Sequence, residues 1–341
     1  METAPSWFCE IMRAQNFGDT LSCGSKTYVY RNGVWNASHL DVSDQQKQTE
    51  EIFAFKWKKE TTFNSPEALG RVRDWLIERY GTFSALLPLL PPEPVVLDAG
   101  CGAGMSALEY FKPLSKIRYI GCDISEAIWV AVKRFNLQQE RERERERERE
   151  RIFIREDITQ LPFTHESVDC IFSEGVLHHT DSTRGALASL VPLLRRGGYF
   201  LFYVYRKKGP IREFTDDYIR EKLQLLSAAE AWNALKPLTS LGEQLGCIEK
   251  ELDLPQGLSL LDIPPGKISL QRFFYWHIFK TFYHPELSFE EMNHINFDWF
   301  APKNAFRQTP EEVSSWCNEL GLAIKRMHIE NAGITIIAQK I

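Results

Sequence analysis

The stretch VVLDAGCGAG, Val95 to Gly104, decides the fold. VVLD has the apolar run of a short buried strand, and Gly100, Gly102 and Gly104 at alternate positions form a strand-to-helix turn. Turns of this kind cradle nucleotides at a helix N-terminus. A dinucleotide fingerprint would rest a pyrophosphate there, but Asp98 stands at the strand end just ahead of the glycines. A carboxylate repels a pyrophosphate and accepts hydrogen bonds from an ammonium group, so the loop suits a ligand with a positive end.

Outward from the loop, MSALEYF suits a helix and IRYIGCD a second strand that closes on Asp123. SEAIWVAVKRF has apolar residues at helical spacing behind a Ser125 cap. RIFIRED is a third strand, with Asp157 at its end, VDCIFS a fourth and GGYFLFYVY a fifth. This alternation predicts an α/β fold with a parallel sheet and helices on both faces. A carboxylate at the end of the second strand accepts both ribose hydroxyls of a nucleoside, and one at the end of the third meets an adenine amino group. Asp98, Asp123 and Asp157 thus share the carboxyl edge, where open α/β sheets bind ligands.

Upstream, SPEALGRVRDWLIERYG is a helix with Ser65 as cap, Pro66 at its first position and Gly81 as its stop. LSCGSKTYVYRNGVW reads as a hairpin turning at Asn32-Gly33. It also resembles one knuckle of a zinc ribbon of the kind found ahead of some methyltransferase domains. Only Cys23 and Cys9 stand where four thiolates are needed to close a tetrahedral site, so a metal-free packing element is expected. Downstream, residues 206–304 read as helical and aromatic-rich, including LQRFFYWHIFKTFYH. TPEEVSSWCNELG is a capped helix, and the strands LAIKRMHI and GITIIAQK lack room for a crossover, so they pair antiparallel. The division expected is 1–60, a degenerate zinc-ribbon-like segment; 61–205 with 305–341, the nucleotide-binding domain; and 206–304, a helical cap.

Taken in order, the motifs DAGCGAG, GCDIS, DITQLPF, SEGVLHHT and LLRRGGY resemble those of the class I S-adenosylmethionine-dependent methyltransferases. The subgroup is methyltransferase type 11, related to the ubiquinone and menaquinone biosynthesis methyltransferases, and the resemblance covers about Leu69 to Tyr205 and the stretch from Thr309. FAFKWKK and FDWFAP resemble flanking elements of a bacterial-type branch. The resemblance implies a Rossmann-like parallel sheet with an antiparallel last strand, helices on both faces and a helical cap insertion. It implies S-adenosylmethionine as cofactor: Gly100, Gly102 and Gly104 let the backbone approach it, and Asp98 lies near its amino group. Asp123 would take the ribose and Asp157 the adenine, with Ile124 and Ile158 packing on the ring and Cys101 and Ser173 completing the binding set. For Asp123 and Asp157, a turn or helix cap is the alternative role.

Methyl transfer from a sulfonium needs in-line approach of a nucleophile, and a base only when the acceptor must lose a proton. VLHH resembles the LHD stretch of plant small-molecule O-methyltransferases, whose histidine is the general base, and the match falls on His178. Glu174, Tyr203 and Tyr205 are further candidates; helix capping or packing is the alternative for the histidine pair. The expected acceptor is a small, apolar or aromatic molecule attacked at oxygen, nitrogen or carbon, in a pocket under the aromatic cap. Two other readings stay open: a non-catalytic S-adenosylmethionine-binding module or scaffold, and a nicotinamide oxidoreductase, which the loop spacing and Asp98 disfavour.

The 341 residues carry 43% hydrophobic and 26% charged residues and a formal charge of −5. No basic footprint suits a phosphate backbone, so nucleic acid is not expected as a partner. No run of about 18 apolar residues occurs, and METAPSWFCEIM lacks a signal-peptide pattern; no stable membrane insertion and a cytoplasmic location are expected. The seven cysteines include no CxxC pair and fit a reducing compartment, and the histidines lack metal-ligand spacing, so no metal is expected. In ERERERERERER, Glu140 to Arg151, opposite charges fall at i, i+3 but like charges at i, i+4. That self-cancelling ladder reads as a solvated helical extension or mobile insertion, with a charged partner site as the alternative.

Overall fold

The computed structural model describes residues 4–111, 117–142 and 151–341. Its organising element is an eleven-stranded sheet. In chain order the strands are β1 (Gln15–Asn16), β2 (Thr20–Cys23), β3 (Lys26–Arg31), β4 (Val34–Ala37), β5 (Val95–Ala99), β6 (Arg118–Asp123), β7 (Arg151–Arg155), β8 (Val168–Glu174) and β9 (Leu194–Tyr205). Beyond a separate hairpin of β10 (Glu251–Leu254) and β11 (Gly266–Ser269), β12 (Leu322–Ile329) and β13 (Gly333–Lys340) complete it. The spatial order is β1-β2-β3-β4-β7-β6-β5-β8-β9-β13-β12.

The centre is parallel: β5 pairs with β6 and β8, β6 with β7, and β8 with β9. β13 inserts antiparallel between β9 and β12. Helices cover both faces, so every residue of β5 is buried and the strand needs no polar face. From β5 the chain steps first toward β6 and β7 and then reverses to β8. The crevice at this reversal is where such sheets take ligands, and the glycine loop opens into it.

The N-terminal strands join this sheet, because β4 pairs parallel with β7 through Trp35 and Ile154. The Asn32-Gly33 turn has positive φ at both residues, 51° and 83°, the two-residue hairpin form that matches strand twist. Tyr28 is buried and donates to Glu156 at 2.6 Å, and Lys26 reaches the same carboxylate at 2.9 Å. The charge of Glu156 is thereby neutralised where the third strand ends. Cys23 Sγ donates to the Met12 carbonyl at 2.6 Å, and burial pushes both the Cys9 and Cys23 thiols up. Among the described residues, no three histidine, cysteine or acidic side chains gather as a metal-binding group.

The cap leaves the sheet after β9 and returns at a bridge between Arg206 and Gln308. Its longer helices are Pro210–Leu223, Ala228–Ala234, Lys236–Gly246 and Phe289–Phe300. The expectation of a wholly helical segment is corrected twice. Pro264, Pro265 and Gly266 break any helix, and the hairpin β10-β11 stands there. In LQRFFYWHIFKTFYH only Leu270–Phe273 is α-helical; a π-helical turn, Phe274–Ile278, follows, and the chain then runs extended. The turn and the extended segment bring Tyr275, Trp276 and Phe282 of the aromatic run to the cavity. The helix Ala127–Glu142 takes in the start of the Arg-Glu repeat, while residues 143–150 lie outside the described residues. Among those described, no helix is long and apolar enough to cross a membrane.

Candidate active site

The loop after β5 is folded back onto β6: the amides of Gly100 and Cys101 both donate to the Cys122 carbonyl, at 2.8 and 2.9 Å. Gly100 has φ of 89°, and a Cβ there would lie 2.3 Å from Val176 Cγ1. Gly102 donates to Asp123 Oδ2 at 2.8 Å, and a Cβ on it would approach Trp57 Nε1 to 3.2 Å. Gly104 has another task. It precedes the helix Met105–Tyr110 and lies against Phe135 and Ala131, so it allows close helix packing and does not border the cavity.

The three acids meet along one wall. Asp123 accepts from Gly102 through Oδ2 and, through Oδ1, from Ser125 N at 2.8 Å and Ser125 Oγ at 2.6 Å. Its carboxylate fixes the loop and fronts the cavity at once, which leaves about one lone-pair site, on Oδ2, for a ligand. Asp157 closes a turn by accepting from Thr159 N and Oγ1 at 2.8 and 2.9 Å. Asp98 accepts from Tyr119 Oη at 2.7 Å and has no cationic partner among the described residues. Burial therefore pushes its carboxyl up to about 7, against the pull of that hydrogen bond.

From this wall a single cavity of about 580 Å³ extends under the cap, within the usual range for small-molecule sites, about 300–1,000 Å³. Cys101, Ile124 and Ile158 line it beside the acids, and Tyr203, Tyr275 and Phe282 line it on the cap side.

A profile of the methyltransferase-domain family matches residues 97–202, which span β5 to β9 and contain every acid and glycine of the wall. Residues 97–202 match a methyltransferase domain. A phthiotriol/phenolphthiotriol dimycocerosates methyltransferase of Mycobacterium ulcerans (strain Agy99) is 31% identical over 136 residues, 40% of this chain and 46% of that protein. A chloroplastic methyltransferase of Arabidopsis thaliana is 30% identical over 115 residues, 34% of this chain and 32% of that protein. The chain thus spans less than half the length of these relatives. Among solved structures, the 1,6-didemethyltoxoflavin-N1-methyltransferase of Burkholderia thailandensis aligns over 96% of this chain and 98% of its own, with 12% identity and a TM-score of 0.44.

Within this segment, the structure does not bring His178, the expected base, to the cavity. His178 and His179 lie in a 3₁₀ turn, Leu177–His179, where successive side chains point about 120° apart, so only one ring faces the cavity. That ring is His179. His178 is fully buried behind the wall, its ring 3.7 Å from the Tyr205 ring, and both its nitrogens lack partners. His179 Nδ1 lies 2.6 Å from the Asn304 carbonyl, which only accepts, so Nδ1 carries the proton and Nε2 keeps a buried lone pair without a partner among the described residues. Burial drives the His179 pKa down to about 4, so the ring is neutral at pH 7.

The remaining expectations divide. Ser173 is buried, donates to the Ala99 carbonyl at 2.9 Å and ties β8 to β5 behind the wall; it does not reach the cavity. Glu174 reaches it, but Arg79 and Tyr80 occupy its two oxygens. Tyr203 lies under the Arg79 guanidinium at 3.8 Å, and Tyr205 donates to Asp298 at 2.9 Å.

A layer of the site escaped the reading of the sequence. The helix Asp44–Trp57 lies across the cavity and contributes Glu50, Phe53, Lys56 and Trp57. Lys56 is ion-paired with Asp298 of the cap helix, so FAFKWKK and FDWFAP meet at the cavity. Burial works to raise the Asp298 carboxyl, and Lys56, then His179, hold it well below the carboxylate range. A charge flanked by aromatics, Lys56 between Phe55 and Trp57 and Asp298 between Phe297 and Trp299, was the available signal.

Proposed function

We propose that this chain transfers a methyl group from S-adenosylmethionine to oxygen, nitrogen or carbon of a small molecule held under the cap. The observation that carries the reading is the continuity of one cavity from Asp98, Asp123 and Asp157 to the aromatic residues of the cap. The wall fits the cofactor on its own chemistry. Asp98 is a buried carboxylate without a cation, the counterpart of an ammonium group. Asp123 keeps a lone-pair site on Oδ2 for a ribose hydroxyl, Asp157 and Ile158 border the place for adenine, and a Cβ would collide with Val176 at Gly100 and crowd Trp57 at Gly102.

When bound, S-adenosylmethionine supplies an electrophilic methyl on a sulfonium. The chain's part is positioning, and holding two reactants at attack distance is worth about 7–11 kcal/mol. The ring of His179 lines the cavity and its Nε2 has no partner among the described residues, which supports His179 over His178 as the group that accepts a proton or hydrogen bond from an acceptor hydroxyl or amine. Phe53, Trp57, Phe63 and Trp75 in the lining support an apolar or aromatic body for the acceptor. Seven free cysteines support a reducing compartment, which for this enzyme we take to be the cytoplasm.

The test supplies methyl-labelled S-adenosylmethionine and a small-molecule extract and follows S-adenosylhomocysteine release. Acceptor-dependent release that disappears in Asp123→Asn is the expected result. No release from the wild-type chain with bound S-adenosylmethionine would point to a binding module instead.

A further inference from the structure

Among the described residues, five cationic side chains line the cavity: Lys56, Arg71, Arg79, Arg272 and Lys280. Two are matched by acids, Lys56 by Asp298 and Arg79 by Glu174 and Glu330, and Lys280 is buried against the Trp299 ring. Arg71, on the helix Pro66–Tyr80, and Arg272, on Leu270–Phe273, have no carboxylate within ion-pair distance. Each guanidinium lies instead over an aromatic ring of the cap, Arg71 at 5.6 Å from Phe282 and Arg272 at 5.2 Å from Tyr275. They are also neighbours. Burial first, and then the charge of Arg272, draws the Arg71 pKa down, with Tyr275 and Glu286 acting the other way without contact. His284, whose Nδ1 accepts from the Glu286 amide at 3.3 Å, is the other titratable group beside them and is itself lowered, by burial and then by Arg71.

Two half-buried guanidiniums on adjacent rings, Tyr275 and Phe282 with centroids 5.9 Å apart, repel each other without an anion and keep their donors unused. A planar guanidinium offers a rigid fork that fits carboxylate or phosphate oxygens two at a time, and stacking on aromatics orients it. The loop acids, at the far wall, do not figure among the charges acting on Arg71. We propose that Arg71 and Arg272 form an anion subsite at the cap side of the cavity, which takes a carboxylate or phosphate group of the methyl acceptor. An acceptor anchored there extends its uncharged part past the aromatic lining toward the glycine loop. That the anchored molecule is a methyl acceptor rests on the function proposed above; the subsite itself belongs to the cavity and is tested without turnover.

The test is calorimetric titration of the full chain with benzoate, phenyl phosphate and the neutral benzamide, alongside S-adenosylhomocysteine. Benzoate or phenyl phosphate is expected to bind at least about tenfold more tightly than benzamide, the scale of one charge-assisted pair. A preference between the two anions identifies the group as carboxylate or phosphate. Arg71→Gln and Arg272→Gln should each lose that advantage and keep the wild-type affinity for S-adenosylhomocysteine, and Arg71→Lys, which keeps the charge but not the fork, should fall between. Since each Gln variant removes one member of a repelling pair, its denaturation midpoint should not fall. Equal binding of benzamide and the anions, no anion binding, or anion binding unchanged in both Gln variants would overturn the subsite. Loss of S-adenosylhomocysteine binding in the wild type, with anion binding intact, would overturn the cofactor reading and leave the subsite standing.

Discussion

Replacing Asp98 with Asn should make the ligand-free protein more stable and its cofactor affinity worse. The carboxyl is buried beside Tyr119 with no cation, and its pKa rises from 3.8 to about 7. At about 1.4 kcal/mol per pH unit, keeping it ionised in the folded state costs about 4 kcal/mol. The sign follows from proton linkage. The folded state holds this proton up to about pH 7 while the unfolded chain releases it near pH 4, so stability falls as pH rises through that window. Between pH 5 and pH 8 the wild type should lose about 2–3 kcal/mol that Asp98→Asn does not lose, because Asn keeps an oxygen for Tyr119 and carries no charge. Urea denaturation of both proteins at the two pH values, without ligand, measures the difference directly, and other titrating groups cancel in the comparison. Saturating S-adenosylhomocysteine should then stabilise the wild type and not the variant. Parallel pH dependences in the two proteins would refute the reasoning, because they would mean that the Asp98 charge is already compensated in the empty cavity.

Other outcomes follow from the same geometry. Gly100→Ala meets both a φ of 89° and a Cβ 2.3 Å from Val176; it should cost at least about 2 kcal/mol in chemical denaturation, and Val176→Ala should restore only the part due to the collision. With an acceptor in hand, His179→Ala should lower kcat by about 10²-fold or more if the acceptor must lose a proton, whereas His178→Phe should change stability and leave kcat within a few-fold. Because His179 is neutral above its pKa of about 4, the kcat profile should show no histidine limb near pH 6.5. Lys56→Met leaves Asp298 without its cation and should destabilise the fold by about 3 kcal/mol, most of it recovered by adding Asp298→Asn.

What the sequence disclosed and what it concealed differ in kind. The order of strands from Val95 to Tyr205, the antiparallel end formed by GITIIAQK and the capping of TPEEVSSWCNELG are local properties, carried by apolar runs, glycines and capping residues in one short window. The loop acids were legible for the same reason, since each closes a strand that its own neighbours define. Three features were not legible because they depend on rotation or on pairing over long distances. Which of two adjacent histidines faces the cavity is settled by the 3₁₀ turn and the Asn304 carbonyl, more than a hundred residues away in the chain. The union of Lys56 with Asp298 and the addition of β4 to β7 are long-range contacts without a periodic signature. The cap hairpin could have been found, since Pro264, Pro265 and Gly266 exclude a helix, but the aromatic run beyond them suggested one. Ser173 shows the opposite error: a residue inside a matching motif, turned by strand alternation to the face away from the ligand.

The central claim is that the wall of Asp98, Asp123 and Asp157 binds S-adenosylmethionine, and isothermal titration tests it most directly. Wild-type protein titrated separately with S-adenosylmethionine, S-adenosylhomocysteine and NAD should bind the first two with micromolar affinity and NAD not at all, and a folded Asp123→Asn variant should bind them far more weakly. A folded wild-type protein that binds neither, or that binds NAD instead, would contradict the account.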